Sequence, residues 1–141
     1  MDSDQASLAS PSHLTLVCAH CGGIAAEFTL LPVGSPVAGR FLGEAMAHKD
    51  RLRRQGFLGT VTWAWSPESM KRLFDALARG DFRAAADVDY DAVGFYCYRC
   101  DAVYCERCWE IGPPVFDEDL PGFYDCTYGT CPRGHRCIVD D

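Results

Sequence analysis

The chain contains nine cysteines, and their spacing is typical of metal ligands. Two sulfurs separated by two residues can reach one metal ion from a single tight turn, and a tetrahedral zinc site takes two such pairs. Three Cys-x-x-Cys pairs and a final Cys/His cluster therefore supply ligands for two Zn2+ ions. The predicted ligands in chain order are the first pair Cys18 and Cys21, the second pair Cys97 and Cys100, the third pair Cys105 and Cys108, and the C-terminal pair Cys131 and His135.

The spacing leaves the grouping of these four pairs open. The second and third pairs are separated by only four residues and could share one ion, which would leave the first pair with the C-terminal cluster. Alternatively, the first pair joins the second, and the third joins the C-terminal pair. We favour this arrangement because each site then closes a loop flanked by strands. Cys126 and Cys137 are left over, and Cys126 is an alternative ligand in place of Cys131 or His135.

Short strands are predicted beside the ligand pairs. Residues 14–21 read as a strand that leads into the first pair, and residues 92–97 as a strand that leads into the second. Residues 57–65 are rich in β-branched and aromatic side chains, which favours a third strand. In such a strand Trp63 and Trp65 lie on the same face, where they are either core residues or a binding platform.

Two or three helices complete the predicted α+β fold. The clearest begins at Ser66, a favourable N-cap, with Pro67 at the first helical position, and it ends at Gly80. Its apolar residues recur at helical spacing: Met70, Leu73, Phe74 and Leu77. Asp81 can cap a second short helix, and the pattern over residues 40–56 predicts a further one.

We predict a disordered tail over residues 1–12 and a single zinc-stabilised domain over residues 13–141. Within this domain, residues 22–96 form an insertion of helices and strands that supplies most of the apolar core. Residues 97–141 form a zinc-rich C-terminal part with few aliphatic side chains. Structural zinc can contribute about 10 kcal/mol or more to folding in small modules, so the C-terminal part should depend most on metal.

The ligand spacing resembles that of zinc ribbons and knuckles, and more distantly that of the in-between-RING domain. This resemblance covers the ligand residues alone and implies two structural zinc sites. The segment "YDCTYGTCPRGH" at 124–135 resembles a tail of uncharacterised bacterial zinc-binding proteins. It implies zinc binding and no particular activity.

The formal net charge of −7 argues against a nonspecific nucleic-acid role, because nucleic-acid binders usually carry a basic field. The N-terminal sequence lacks the features of a signal peptide, and no apolar run approaches the ~20 residues of a membrane helix. We therefore expect a cytoplasmic protein with reduced thiols. Asp117, Glu118 and Asp119 are interpreted as a solvated acidic loop.

One local basic patch stands out in this acidic chain. Residues 40–54 contain five Lys or Arg and two acidic residues. The patch is interpreted as an ordinary exposed helix face. The functional alternative is contact with an acidic partner or a nucleic-acid backbone through Arg51, Arg53 and Arg54.

The sequence favours a binding protein over an enzyme. It contains no recognised catalytic motif, and a zinc ion with four protein ligands has no open position for water. We predict a non-catalytic zinc-binding module that contacts another protein. The alternatives are a nucleic-acid-binding zinc-ribbon protein and a zinc metalloenzyme of unknown reaction.

Overall fold

A computed structural model describes residues 12–33 and 49–141 of the chain. These residues form three small antiparallel sheets and two α-helices, which agrees with the predicted α+β class. The predicted N-terminal tail lies outside the described residues except for Ser12, which begins the first strand. Among the described residues, no helix is both long enough and apolar enough to span a bilayer.

The first sheet has four strands that follow one another in chain order. They are β1 (Ser12–Val17), β2 (Ile24–Leu31), β3 (Arg51–Gln55) and β4 (Val61–Trp63). The helix predicted over 40–56 is wrong for its last part, because β3 pairs with β2 on one side and β4 on the other. Residues 40–48 of that prediction lie outside the described part of the chain. Burial on both sides of β3 outweighs the helical spacing of its side chains.

Two helices follow this sheet at the predicted positions. Helix α1 (Pro67–Ala78) is capped by Ser66, whose Oγ accepts a hydrogen bond from the Ser69 N–H at 3.2 Å. Its buried residues include all four apolar side chains that recur at helical spacing in the sequence. Helix α2 (Phe82–Val88) is capped by Asp81, which accepts a hydrogen bond from the Ala84 N–H at 3.2 Å.

The C-terminal part forms the other two sheets. The bounds are β5 (Tyr96–Cys97) and β6 (Ala102–Val103) for one sheet, and β7 (Glu110–Phe116), β8 (Tyr124–Thr130) and β9 (Arg136–Asp140) for the other. A 3-10 turn at Asp91–Val93 joins α2 to this region. Next to that turn, a Cβ atom at Gly94 would collide with the backbone carbonyl of Val139 in β9. Glycine is therefore required where the two segments meet.

A shared hydrophobic core joins the first sheet to the C-terminal part. The ring of Phe95 makes edge-to-face contacts with Phe28 at 5.9 Å and Phe57 at 5.8 Å between centroids. Trp109 donates a hydrogen bond from Nε1 to the Phe95 carbonyl at 3.1 Å. Phe95 and Trp109 are both buried. Phe95 lies two residues before Cys97, and Trp109 directly follows Cys108, so each side chain anchors a cysteine pair to the core.

Arg54 links β3 to the 3-10 turn from inside the protein. Its side chain is buried, and Nη1 donates hydrogen bonds to the carbonyls of Asp91 at 3.2 Å and Ala92 at 3.1 Å. The guanidinium carbon lies 5.7 Å from the centre of the Phe57 ring and 5.4 Å from that of Trp63. Burial lowers the pKa of Arg54, although the nearby carboxylates of Asp91 and Asp140 act in the opposite direction.

Candidate metal centres

The turn between β1 and β2 meets the turn between β6 and β7 to form site one. The first pair, Cys18 and Cys21, lies in one turn, and the third pair, Cys105 and Cys108, lies in the other. The Sγ atom of Cys105 is 3.6 Å from that of Cys21 and 3.6 Å from that of Cys108. All four sulfurs lie within 4.8 Å of one another, so one metal ion can contact them all.

Site two is formed in the same way by two other turns. The second pair, Cys97 and Cys100, lies at the β5–β6 turn, and Cys131 and His135 lie between β8 and β9. The Nδ1 atom of His135 is 3.6 Å from Cys97 Sγ, 3.2 Å from Cys100 Sγ and 3.5 Å from Cys131 Sγ. The sulfurs of Cys100 and Cys131 are 3.8 Å apart. These four atoms converge on one point that a metal ion can occupy.

The two sites are interleaved along the chain, so the favoured grouping is wrong. The first pair meets the third pair, and the second pair meets the C-terminal pair. The other arrangement considered from the sequence, in which the second and third pairs share an ion, is also wrong. Residues Ala102–Val103 form an extended strand between these pairs. Because Cys97 and Cys100 belong to one group of four donor atoms and Cys105 and Cys108 to the other, the two pairs do not meet at one ion.

Backbone N–H groups point at the sulfurs in the ligand turns. The N–H of His20 donates to Cys18 Sγ, the N–H of Gly23 to Cys21 Sγ, and the N–H of His135 to Cys131 Sγ, each at 3.4 Å. Such donors stabilise a thiolate rather than a thiol. The turns are therefore suited to ligands that bind in the deprotonated form.

The pKa values of the thiols diverge within each site. Burial raises the pKa of Cys18, but backbone hydrogen bonds from Cys105, Cys21 and His20 outweigh it and lower the value to about 6. Burial, together with hydrogen bonds to the other thiols of site one, raises the pKa of Cys108 to about 12. At site two, burial raises the pKa of Cys97. Several thiolates at one point repel one another, and a divalent cation at that point would relieve the repulsion.

Site two is fixed by polar contacts from its surroundings. The Tyr96 hydroxyl donates to Asp101 Oδ1 at 2.7 Å, which holds the turn that carries Cys100. Arg83 on α2 donates from Nη2 to the Tyr98 carbonyl at 3.3 Å. The site is thus attached both to its own hairpin and to the helical part of the chain.

Cys126 and Cys137 do not belong to either group of four. All nine cysteines are free thiols, and these two are buried. Cys137 lies next to site two, with its sulfur 3.9 Å from that of Cys97. Cys137 belongs to β9, the strand that begins directly after His135.

The basic patch predicted between residues 40 and 54 is not an exposed helix face in its described part. Arg51 is fully buried, Arg54 is 2% exposed, and Arg53 is half-buried on β3. Trp63 and Trp65 are half-buried, with ring centres 5.2 Å apart, and they pack against the core. The sequence of β3, RLRRQ, contains a single apolar residue, Leu52, so the alternation of polar and apolar residues that marks a half-buried strand is absent from it.

The described fold and its two ligand groups define an α+β protein with two candidate metal centres. The chain belongs to the family DUF8328, described as a domain of unknown function, whose model matches residues 10–141. The match includes every ligand of both sites. A search of curated proteins gave no match, and a search of solved structures gave none.

Proposed function

We propose that the chain is a non-catalytic protein-interaction module built around two structural zinc ions. The observation that carries the zinc assignment is the presence of two four-donor groups, each assembled from two separate turns of the chain. Cysteine-rich groups of this kind are typical of structural zinc. The ligands of the proposal are the four thiols of site one and, at site two, Cys97, Cys100, Cys131 and His135.

The donor distances support zinc in both sites. A tetrahedral ion with Zn–S bonds of about 2.3 Å places two sulfurs about 3.8 Å apart, and a sulfur and an imidazole nitrogen about 3.6 Å apart. Three sulfur pairs within the groups, Cys21–Cys105, Cys105–Cys108 and Cys100–Cys131, lie 3.6–3.8 Å apart, and the three distances from His135 Nδ1 span 3.2–3.6 Å. A disulfide would instead require about 2.05 Å between sulfurs.

A structural role is favoured because the chain supplies a full ligand set at each site. Catalytic zinc sites usually have three protein ligands and keep a fourth position for water or substrate. Both groups here contain four donors, and two of the four residues in each group are buried. The metalloenzyme alternative would require one ligand to leave before a substrate could bind.

Protein contact is favoured over nucleic-acid contact by charge and burial. The chain is acidic, and two of the three arginines that were expected to reach a phosphate backbone, Arg51 and Arg54, are buried. Nucleic-acid binding draws most of its affinity from exposed Lys and Arg, so the described surface gives it little support. A cytoplasmic location, where thiols stay reduced, fits nine free cysteines.

Chelation under reducing conditions tests the structural role of the metal. We expect the metal-free protein to lose its dispersed amide NMR spectrum, and two equivalents of zinc to restore it. The resonances of Phe95 and Trp109 should collapse together with those of the ligands, because both residues pack beside the sites. A metal-free protein that keeps its fold would contradict a structural role and favour the metalloenzyme alternative.

The interaction role has a separate test. Affinity capture from host cells compares the zinc-loaded protein with the Cys131→Ser variant, which should lose site two. A partner retained by the zinc-loaded protein alone supports the role. Binding of nucleic acid in place of protein, removed by added salt, would replace this proposal with its nucleic-acid alternative.

A further inference from the structure

Residues 112–125 project from the third sheet and are exposed at every position. They comprise most of β7, the turn that follows it and the first two residues of β8. We call this segment the β7–β8 arm. Its base is firmly attached, since Cys126 and Thr127 are buried where β8 enters the core.

The arm carries most of the exposed large apolar side chains of the described residues. Nine such residues are exposed, and five of them belong to the arm. Their exposed fractions are 37% for Val115, 53% for Phe116, 53% for Leu120, 63% for Phe123 and 41% for Tyr124. Scattered apolar residues are normal on protein surfaces, whereas these five lie within ten consecutive residues of one hairpin, and clustered exposed apolar residues mark an interaction site.

The tip of the arm is already ordered. Asp117 Oδ1 accepts hydrogen bonds from the N–H groups of Asp119 at 2.8 Å and Leu120 at 3.0 Å. The Asp117 N–H donates to the Phe123 carbonyl at 2.8 Å, which closes the turn. Phe116 and Tyr124 stack edge-to-face across the two strands, with centroids 6.3 Å apart. The arm would therefore lose little conformational entropy when a partner binds its tip.

Charge selects the kind of partner. Residues 110–125 contain five Asp or Glu and no Lys, Arg or His. Contact with a second copy of the chain through this surface would bring acidic residues together, and nucleic acid or an anionic membrane would be repelled in the same way. Electrostatic complementarity instead favours a protein surface that carries Lys or Arg beside apolar side chains.

The binding mode follows from two prolines. β7 is an edge strand of its sheet, and an exposed edge could in principle accept an added strand. Pro113 and Pro114 lack N–H groups, so the middle of β7 cannot continue a regular ladder. Recognition is therefore expected through the side chains of the tip, chiefly Phe116, Leu120 and Phe123.

We propose that the β7–β8 arm is the docking surface for a basic protein segment whose Lys or Arg residues are interspersed with apolar side chains. This inference rests on the proposed interaction function and names the chemistry of its partner. The apolar side chains would fill a pocket or groove of the partner, and the surrounding carboxylates would steer and orient it.

A random peptide display library, selected on the zinc-loaded protein, supplies the probe. We expect the enriched peptides to combine Lys or Arg with apolar residues. The Phe116→Ser/Phe123→Ser variant should weaken the best peptide by roughly tenfold or more. The Glu118→Gln/Asp119→Asn variant should weaken it less and reduce its salt dependence. The matched control is Val17→Ser/Ile24→Ser, which removes exposed apolar residues from β1 and β2 and should have little effect.

Each other outcome contradicts the inference. If no peptide is enriched, or the enriched peptides are acidic, the assigned partner chemistry is wrong. If peptides bind the arm variants as tightly as the original chain, the protein-binding role stands and the arm is not its surface. A dimer in sedimentation that the Phe116→Ser/Phe123→Ser variant abolishes would make a second copy the occupant instead.

Discussion

Cys21 and Cys105 are 84 residues apart in the sequence, and their sulfur atoms lie 3.6 Å from each other. The second pair, which belongs to site two, lies between them in the chain. In the same way, the third pair of site one lies between the two halves of site two. Each candidate site therefore closes a loop of the chain that contains half of the other site.

Double substitutions test this interleaving directly. Cys21→Ser/Cys105→Ser removes two ligands of one site, so we expect it to retain one zinc per chain. Cys105→Ser/Cys131→Ser removes one ligand from each site and should retain none. Metal content of the purified variants, measured by mass spectrometry, gives the count.

The same pair of variants separates the alternative groupings. If the third pair shared an ion with Cys131 and His135, Cys105→Ser/Cys131→Ser would retain one zinc and Cys21→Ser/Cys105→Ser none. Cys126→Ser is the matched control, because it removes a buried thiol outside both groups. It should retain two zincs.

Arg54 should contribute strongly to stability although it forms no part of either site. Arg54→Ala leaves the carbonyls of Asp91 and Ala92 without their donor and removes the cation beside Phe57 and Trp63. A buried group left without its partner costs about 1–3 kcal/mol, so we expect a loss of about 3 kcal/mol in urea unfolding of the zinc-loaded protein. Arg72→Ala, on the exposed face of α1, should change stability by less than about 0.5 kcal/mol. Equal effects of the two substitutions would refute the role assigned to Arg54.

Gly94 should tolerate no side chain. Gly94→Ala would force its Cβ into the Val139 carbonyl, and overpacking of this kind costs about 1–3 kcal/mol. Gly112→Ala is the control, because a Cβ there would lie at an ordinary distance of 3.5 Å from the Tyr128 carbonyl. Thermal unfolding of both variants measures the difference. A Gly94→Ala protein as stable as the original would mean that β9 does not pack against this turn.

The ionised carboxylate of Asp91 should lower the folding stability of the protein at neutral pH. Burial raises its pKa, while the N–H of Asp141 and the charge of Arg54 act against this shift. Because the folded-state pKa of this carboxyl is raised, the protein loses stability as pH rises from the unfolded-state pKa through the folded-state value. We therefore expect Asp91→Asn, which keeps an oxygen acceptor for Asp141, to raise the thermal midpoint at pH 7.5. The gain should shrink as pH falls toward the carboxyl range.

A control for Asp91→Asn must remove the same charge elsewhere. Asp125→Asn does so on the exposed part of β8. If both substitutions stabilise the protein equally, the effect comes from net charge. If Asp91→Asn lowers the midpoint, its carboxylate contributes favourably through Arg54.

Six of the eight donor residues could be recognised from sequence because Cys-x-x-Cys spacing is local, and Cys131 and His135 are spaced as Cys-x3-His. Their grouping could not, since it depends on which turns meet in three dimensions. The second and third pairs are only four residues apart in the chain, yet they belong to different groups of four donor atoms.

The fold shows the same division between local and long-range information. Helix α1 was predictable from Ser66, Pro67 and its apolar spacing, all of which act within one element. Strand β3 was not, because its pairing with β2 and β4 and the burial of Arg51 and Arg54 depend on distant residues. The arginines suggested an exposed surface, but buried carbonyl groups and aromatic rings accommodate one of them, Arg54, inside the core.

X-ray absorption at the zinc edge, combined with metal content, tests the central claim of two complete structural sites most directly. The account predicts two zincs per chain, with seven sulfur ligands and one nitrogen ligand shared between them. A well-folded protein without metal, or an oxygen ligand at either zinc, would contradict it.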